Sequence, residues 1–145
     1  MNLARAILTV ILLGGSASSF WLDWRGNHLL SPAWHPHARF HGGLLLFFLA
    51  GVALTGTWLL WRKSREPQVA ITAATVLALS FWTPLLYVGS VVPGSSPWAG
   101  IPGHEPRVAG ELFYPNLAVA AVFALAAIAG WWIGRRASEI EATRQ

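Results

Sequence analysis

Four of the chain's five histidines, His28, His35, His37 and His41, fall in one short stretch, together with Asp23, Arg25 and Arg39. An imidazole titrates near pH 6.5, so it is the side chain best placed to move a proton or bind a metal near neutrality. Pro36 suits the first turn of a helix, where its missing N–H would be an orphan anyway. A helix starting there puts His37 and His41, at i and i+4, on one face. Such a pair can chelate a divalent metal such as zinc, which wants one or two more ligands at about 2 Å. His28 is the preferred third metal ligand; His35, Asp23, His104, Glu105 and Glu111 share its side of the chain.

The same groups support a second chemistry. His37, His41 and Glu111, beneath Tyr87 and Tyr114, are candidate general acids and bases for an amphipathic substrate. Asp23, His28, Arg39 and Tyr87 are candidate ligand-binding residues, with Asp23 or a lipid phosphate as the expected partner of Arg39. A purely structural role, capping a helix and meeting lipid headgroups, stands beside both. Five histidines are too few for multi-histidine di-iron chemistry, and His104 lies in a Pro/Gly-rich loop poorly suited to a haem axial ligand. No Ser-His-Asp constellation, phosphate-binding glycine loop or dinucleotide fingerprint is present. The absence of cysteine excludes disulfides and thiolate chemistry.

The elements that must position these groups are membrane spans. Of 145 residues, 54% are hydrophobic and 11% charged, far below the roughly one quarter charged of a soluble domain. A bilayer core of about 30 Å needs roughly 20 apolar residues in a helix. Four runs qualify, at about 3–22, 42–61, 69–92 and 112–134, predicting an all-α, four-helix integral membrane bundle in a single domain, 1–145. Arg5, the apolar run after it and Gly15-Ser16-Ala17 also have the ingredients of a cleavable signal peptide; against cleavage, Phe20-Trp21-Leu22 continue the apolar run.

The net charge of +4 is a matter of topology and not of nucleic-acid binding, because the basic residues flank apolar runs. Arg5, Arg62, Lys63, Arg65, Arg135, Arg136 and Arg144 lie on one side of the spans; Arg25, Arg39 and Arg107 lie on the other. The positive-inside rule then places both termini and the 62–66 loop in the cytoplasm of a multi-pass protein of the cytoplasmic membrane. The loops 23–41 and 93–111 share the outer face. Trp58, Trp61, Trp131 and Trp132 fall at the inner interface, and Trp21, Trp24 and Trp34 at the outer one, as aromatic belts.

Small residues four apart mark close helix approach: Gly14 and Ser18, Gly51 and Thr55, Gly130 and Gly134, the last pair more for intrachain packing than for a dimer. The His37/His41 face continues through Leu44, Phe48, Gly51 and Thr55, so the imidazoles are expected to point into the bundle. Pro84 interrupts the third span beside Ser80, Thr83 and Tyr87, which either repair the backbone or wall a polar pocket. Gly42-Gly43 allows a close backbone contact. The loop from Pro93 to Arg107 carries four prolines and three glycines, predicting a lid packed by Trp98 and Ile101. The tail after Gly134 reads as a short amphipathic or frayed end.

The first outer stretch resembles an uncharacterised group of small multi-span membrane proteins that carry a domain of unknown function. Their signature runs Asp-Trp-Asn-x-Thr-His, then Asn-Pro-x-Trp-Pro-Pro-His-Ala-Arg-Phe-His. Asp23, Trp24, His28, Pro32, Trp34, Pro36, His37, Ala38, Arg39, Phe40 and His41 match it; Arg25, Asn27, Ser31 and His35 depart from it. The resemblance covers about 20 residues, singles out Asp23, His28, His37, Arg39 and His41, and implies no particular activity. The expected function is a His-rich ligand or metal site at the outer membrane boundary, acting on a lipid-like molecule. The alternative is a non-enzymatic accessory subunit of a larger membrane complex. The bilayer is the constant partner in both.

Overall fold

Inside hydrocarbon, backbone polar groups have no water to bond, so an apolar run resolves itself as helix. The computed structural model describes residues 1–100 and 103–143, without the side chains of 141 and 142. Its architecture is a four-helix membrane bundle: α1 (Asn2–Asp23), α2 (Pro36–Trp61), α3 (Pro67–Val91) and α4 (Pro115–Ala142), with strands β1 (Arg107–Val108) and β2 (Glu111–Leu112) before α4. Three helices open on proline, which is preset for the first helical position. At 1.5 Å per residue the shortest, α1 with 22 residues, reaches about 33 Å, enough to cross a bilayer core. The second helix begins at Pro36, well before 42, and the fourth at Pro115, after 112, which leaves 24–35 and 92–114 between helices.

The helices form a ring in which each neighbour in sequence is a neighbour in space and α4 closes onto α1. A second close contact, α1 against α3, crosses the ring, so α1 touches all three partners. The core is thin because its residues are small. Ala4, Ala53, Ala74, Ala78, Ala120, Ala124 and Ala127 are buried beside Leu8, Ile11, Leu12, Leu60, Ile71 and Trp82. Glycine supplies the closest approaches: a Cβ on Gly15 would lie 2.4 Å from Trp82 Cζ2, one on Gly56 2.7 Å from Leu12 Cδ1, and one on Gly134 2.7 Å from Ile71 Cδ1. Gly130 packs against Ile7 and Leu8, so the Gly130/Gly134 pair serves intrachain packing.

A π-helical turn at Val10–Gly14 widens α1 just before Gly15. The wider turn rotates the C-terminal half of the helix relative to its N-terminal half, and here burial passes from Leu8, Ile11 and Leu12 to Gly15 and Ser16. In α3, Pro84 removes the donor that Ser80 O would accept. The neighbouring hydroxyls turn back to their own helix, Ser80 Oγ donating to Leu77 O at 2.9 Å and Thr83 Oγ1 to Leu79 O at 2.7 Å. Neither lines the two cavities at the loop end of the bundle.

Two indoles tie helices together at one end: Trp61 Nε1 donates to Thr9 Oγ1 at 2.8 Å, and Trp131 Nε1 to Thr72 Oγ1 at 3.2 Å. Arginines lie over the rings of Trp58, Trp131 and Trp132 at the same end and of Trp21 at the other. Ser138 Oγ lies 3.2 Å from Gln68 Oε1 and 3.5 Å from Met1 Sδ, so both helical termini of the chain and the 62–66 turn share that end. The expectations placed on Ile101 and Arg144 lie outside the described residues.

Candidate functional site

The loop 24–35 is a run of turns closed by its own backbone. Leu29 N donates to Asp23 O at 3.0 Å, Leu30 N to Arg25 O at 2.9 Å and Ser31 N to His28 O at 3.0 Å. Leu29, only 4% exposed, anchors the loop on α2, because Gly42 leaves room where a Cβ would meet Leu29 Cδ1 at 2.7 Å. Gly43 meets nothing there and carries no such role. Arg25 is spent on α1, donating from Nε to Trp21 O at 2.8 Å, which satisfies a carbonyl at the helix C-terminus.

This folding brings His28 to Asp23, with Nδ1 3.6 Å from Asp23 Oδ1, and sets its ring 5.4 Å from that of Trp34. The expected Asp23–Arg39 pair does not form: Arg39 instead borders a shallow hollow with Trp24, Leu30 and Phe40. His28 Nδ1 is shielded from solvent and makes no hydrogen bond, its distance to Asp23 being beyond hydrogen-bond range.

His28 lies where two adjoining cavities meet, of about 660 and 430 Å³. Asn27, His28, Leu85, Trp98 and Asn116 line both. The larger opens at the loop end of the bundle, against Trp34, Ser90, Ser95 and Ser96. The smaller descends between α1, α3 and α4, past Ser18, Leu22, Phe81, Trp82 and Val119. Asn116 Nδ2 donates to Pro97 O at 2.9 Å, fastening the segment that carries Trp98 to α4. Asn27, His28, Asn116 and the serines thus gather at the loop end, with largely apolar walls between the helices, a combination suited to an amphipathic molecule.

The other predicted residues stand elsewhere. His37 and His41 do share a helical face, with Nε2 atoms 3.0 Å apart, but that face is exposed and not turned into the bundle. Leu44, Phe48, Gly51 and Thr55 on it are exposed too, while α2 packs inward through Leu46, Leu49, Ala53, Gly56 and Leu60. Hydrophobicity could not separate the faces, since lipid and core are equally apolar; fit decides, and Gly56 accepts Leu12 where Gly51 meets nothing. His35 caps α2, its Nδ1 accepting from His37 N at 3.3 Å. Tyr87 is 53% exposed and Glu111 sits exposed on β2. Among the described residues no three His, Asp or Glu side chains gather as a metal site, so His28, His37, His41 and Glu111 do not converge.

The loop 92–114 contains a hairpin that the sequence pattern does not announce, Val108 pairing with Glu111 across a two-residue turn. Ala109 and Gly110 have φ of 51° and 88°, as in a type I′ turn, and Arg107 Nη1 donates to Gly110 O at 2.8 Å. Near it, the exposed Glu105 carboxylate accepts from Gly103 N at 3.1 Å, which holds its pKa below the usual range for glutamate. Asn116 is a further site residue absent from the sequence-based candidates. Its signal is a lone amide one residue after Pro115, at the mouth of an apolar run.

No protein-family model matches the chain, and comparison with curated proteins and with solved structures finds no match either.

Proposed function

We propose that the chain binds a lipid-like molecule in the paired cavities beneath its outer loops, at the outer boundary of the cytoplasmic membrane, with both termini cytoplasmic. The observation that carries this reading is His28, which lines both cavities and lies beside Asp23 of the smaller one, the larger cavity having the more polar lining of the two. The headgroup it fits is uncharged or cationic. Among the described residues no lysine or arginine lines either cavity, and the one carboxylate, Asp23, lines the smaller, so an anionic headgroup would find no compensating cation. Asn27, Asn116 and His28 supply the directional hydrogen bonds that such sites use for orientation. His28 beside Asp23 also has the makings of a general acid–base group.

Native mass spectrometry of the purified protein with amphiphiles of one chain length tests this: a monoacylglycerol, an alkylamine and a lysophosphatidic acid. The monoacylglycerol or the amine should be retained in preference, and His28→Ala and Asn116→Ala should lose it. Equal or stronger retention of the lysophosphatidic acid would overturn the headgroup assignment. Retention of none of the three, with another polypeptide co-purifying, would favour the accessory-subunit alternative.

A further inference from the structure

The His37–His41 pair lies apart from the cavities and has a geometry of its own. Its backbone is set by Pro36 at the first helical position and by the His35 cap. Phe40 holds both rings, lying nearly parallel to His37 at 6.4 Å and edge-on to His41 at 5.5 Å. The two imidazoles are perpendicular, 4.5 Å between centroids, and present Nε2 to Nε2 at 3.0 Å. Two neutral imidazoles can face each other this way around a single proton or a single cation.

We propose that His37 and His41 form an open two-imidazole site for a divalent cation of tetragonal preference, copper(II) first and nickel(II) second. Metal–nitrogen bonds of about 2.0–2.1 Å allow two nitrogens this close to share one ion as adjacent ligands. Affinity of imidazole sites rises through nickel(II) to copper(II) and falls again at zinc(II), and adjacent ring nitrogens suit the square-planar and tetragonal geometries that copper(II) and nickel(II) favour. Exposure of both rings leaves the other coordination positions to water, since no third His, Asp or Glu joins them among the described residues. The site is therefore open and exchangeable, with no closed structural cage. Arg39 does not oppose a cation here, because its side chain lies in the hollow beside Trp24 and Leu30.

The test is calorimetric titration of the purified full-length protein in detergent with copper(II), nickel(II) and zinc(II), with electron paramagnetic resonance of the copper form. Copper should bind tightest and nickel next, with an axial spectrum showing hyperfine coupling to imidazole nitrogen. His37→Gln and His41→Gln should each weaken copper binding by at least the roughly 10–100-fold that losing an outer-shell partner costs. His104→Gln, in the other outer loop, should leave it unchanged. Both ligands are exposed, so the variants should keep the wild-type elution volume and helical circular dichroism. Copper binding unchanged in the His37→Gln/His41→Gln double variant, or absent from the wild type, would overturn the site; zinc binding tighter than copper would overturn the tetragonal assignment.

Discussion

His28 meets Asp23 across one turn of the loop that follows α1, Nδ1 to Oδ1 at 3.6 Å, with both side chains about one-third exposed. A pair this accessible contributes at most about 1 kcal/mol to stability. Asp23→Asn and His28→Gln should therefore shift thermal unfolding in detergent only slightly. Amphiphile binding should fall about tenfold, or 1.4 kcal/mol, because the headgroup loses a directional partner. Ligand titration and thermal denaturation of the same preparations separate the two effects; a large loss of stability would make the pair structural.

Two glycines should answer substitution in opposite ways. At Gly15 a new side chain must displace Trp82, and Gly15→Val should cost about 1–3 kcal/mol by overpacking. At Gly51 nothing lies within 4 Å of a new Cβ, so Gly51→Ala should gain up to about 1 kcal/mol of helix propensity. Unfolding midpoints of the two variants provide the comparison.

Ala109 holds a left-handed conformation, φ 51°, that costs an L-residue roughly 1–2 kcal/mol. Ala109→Gly removes that cost and gives back about 0.4–1 kcal/mol in unfolded-chain entropy. The hairpin should be held or slightly strengthened, while Ala109→Val should loosen it. Hydrogen exchange at the Phe113 amide, which donates to Pro106 O at 2.8 Å, reads the change directly.

The chain has no cysteine, so single cysteines report topology against a clean background. Ser31→Cys and Ser95→Cys should react with a membrane-impermeant thiol reagent applied to intact cells. Ser64→Cys should react only after permeabilisation. The reverse pattern would invert the proposed orientation.

The spans are legible in the sequence because hydrocarbon leaves an apolar run of some 20 residues one conformation; their starts are less so, since the helices open at Pro36, Pro67 and Pro115 and not where the apolar runs begin. The packing face of α2 was not legible. Both of its sides are apolar, and only the match of Gly56 to Leu12 and of Gly42 to Leu29 sets the rotation that turns His37 and His41 outward. The cavity was hidden for a related reason. Asn27 and Asn116 are far apart in the chain and acquire meaning only when loop 92–114 closes over His28.

Trp82, wedged into the notch at Gly15 and braced edge-on by Phe81 and Phe123, floors the inner cavity. A molecule bound as proposed would have its headgroup and the start of its tail above this floor, and any methylenes the cavity could not hold would have to leave sideways into the bilayer. Occupancy should then depend on the headgroup more than on tail length or unsaturation. A site of that kind would sort membrane molecules by headgroup and accept the chains that the surrounding lipid provides.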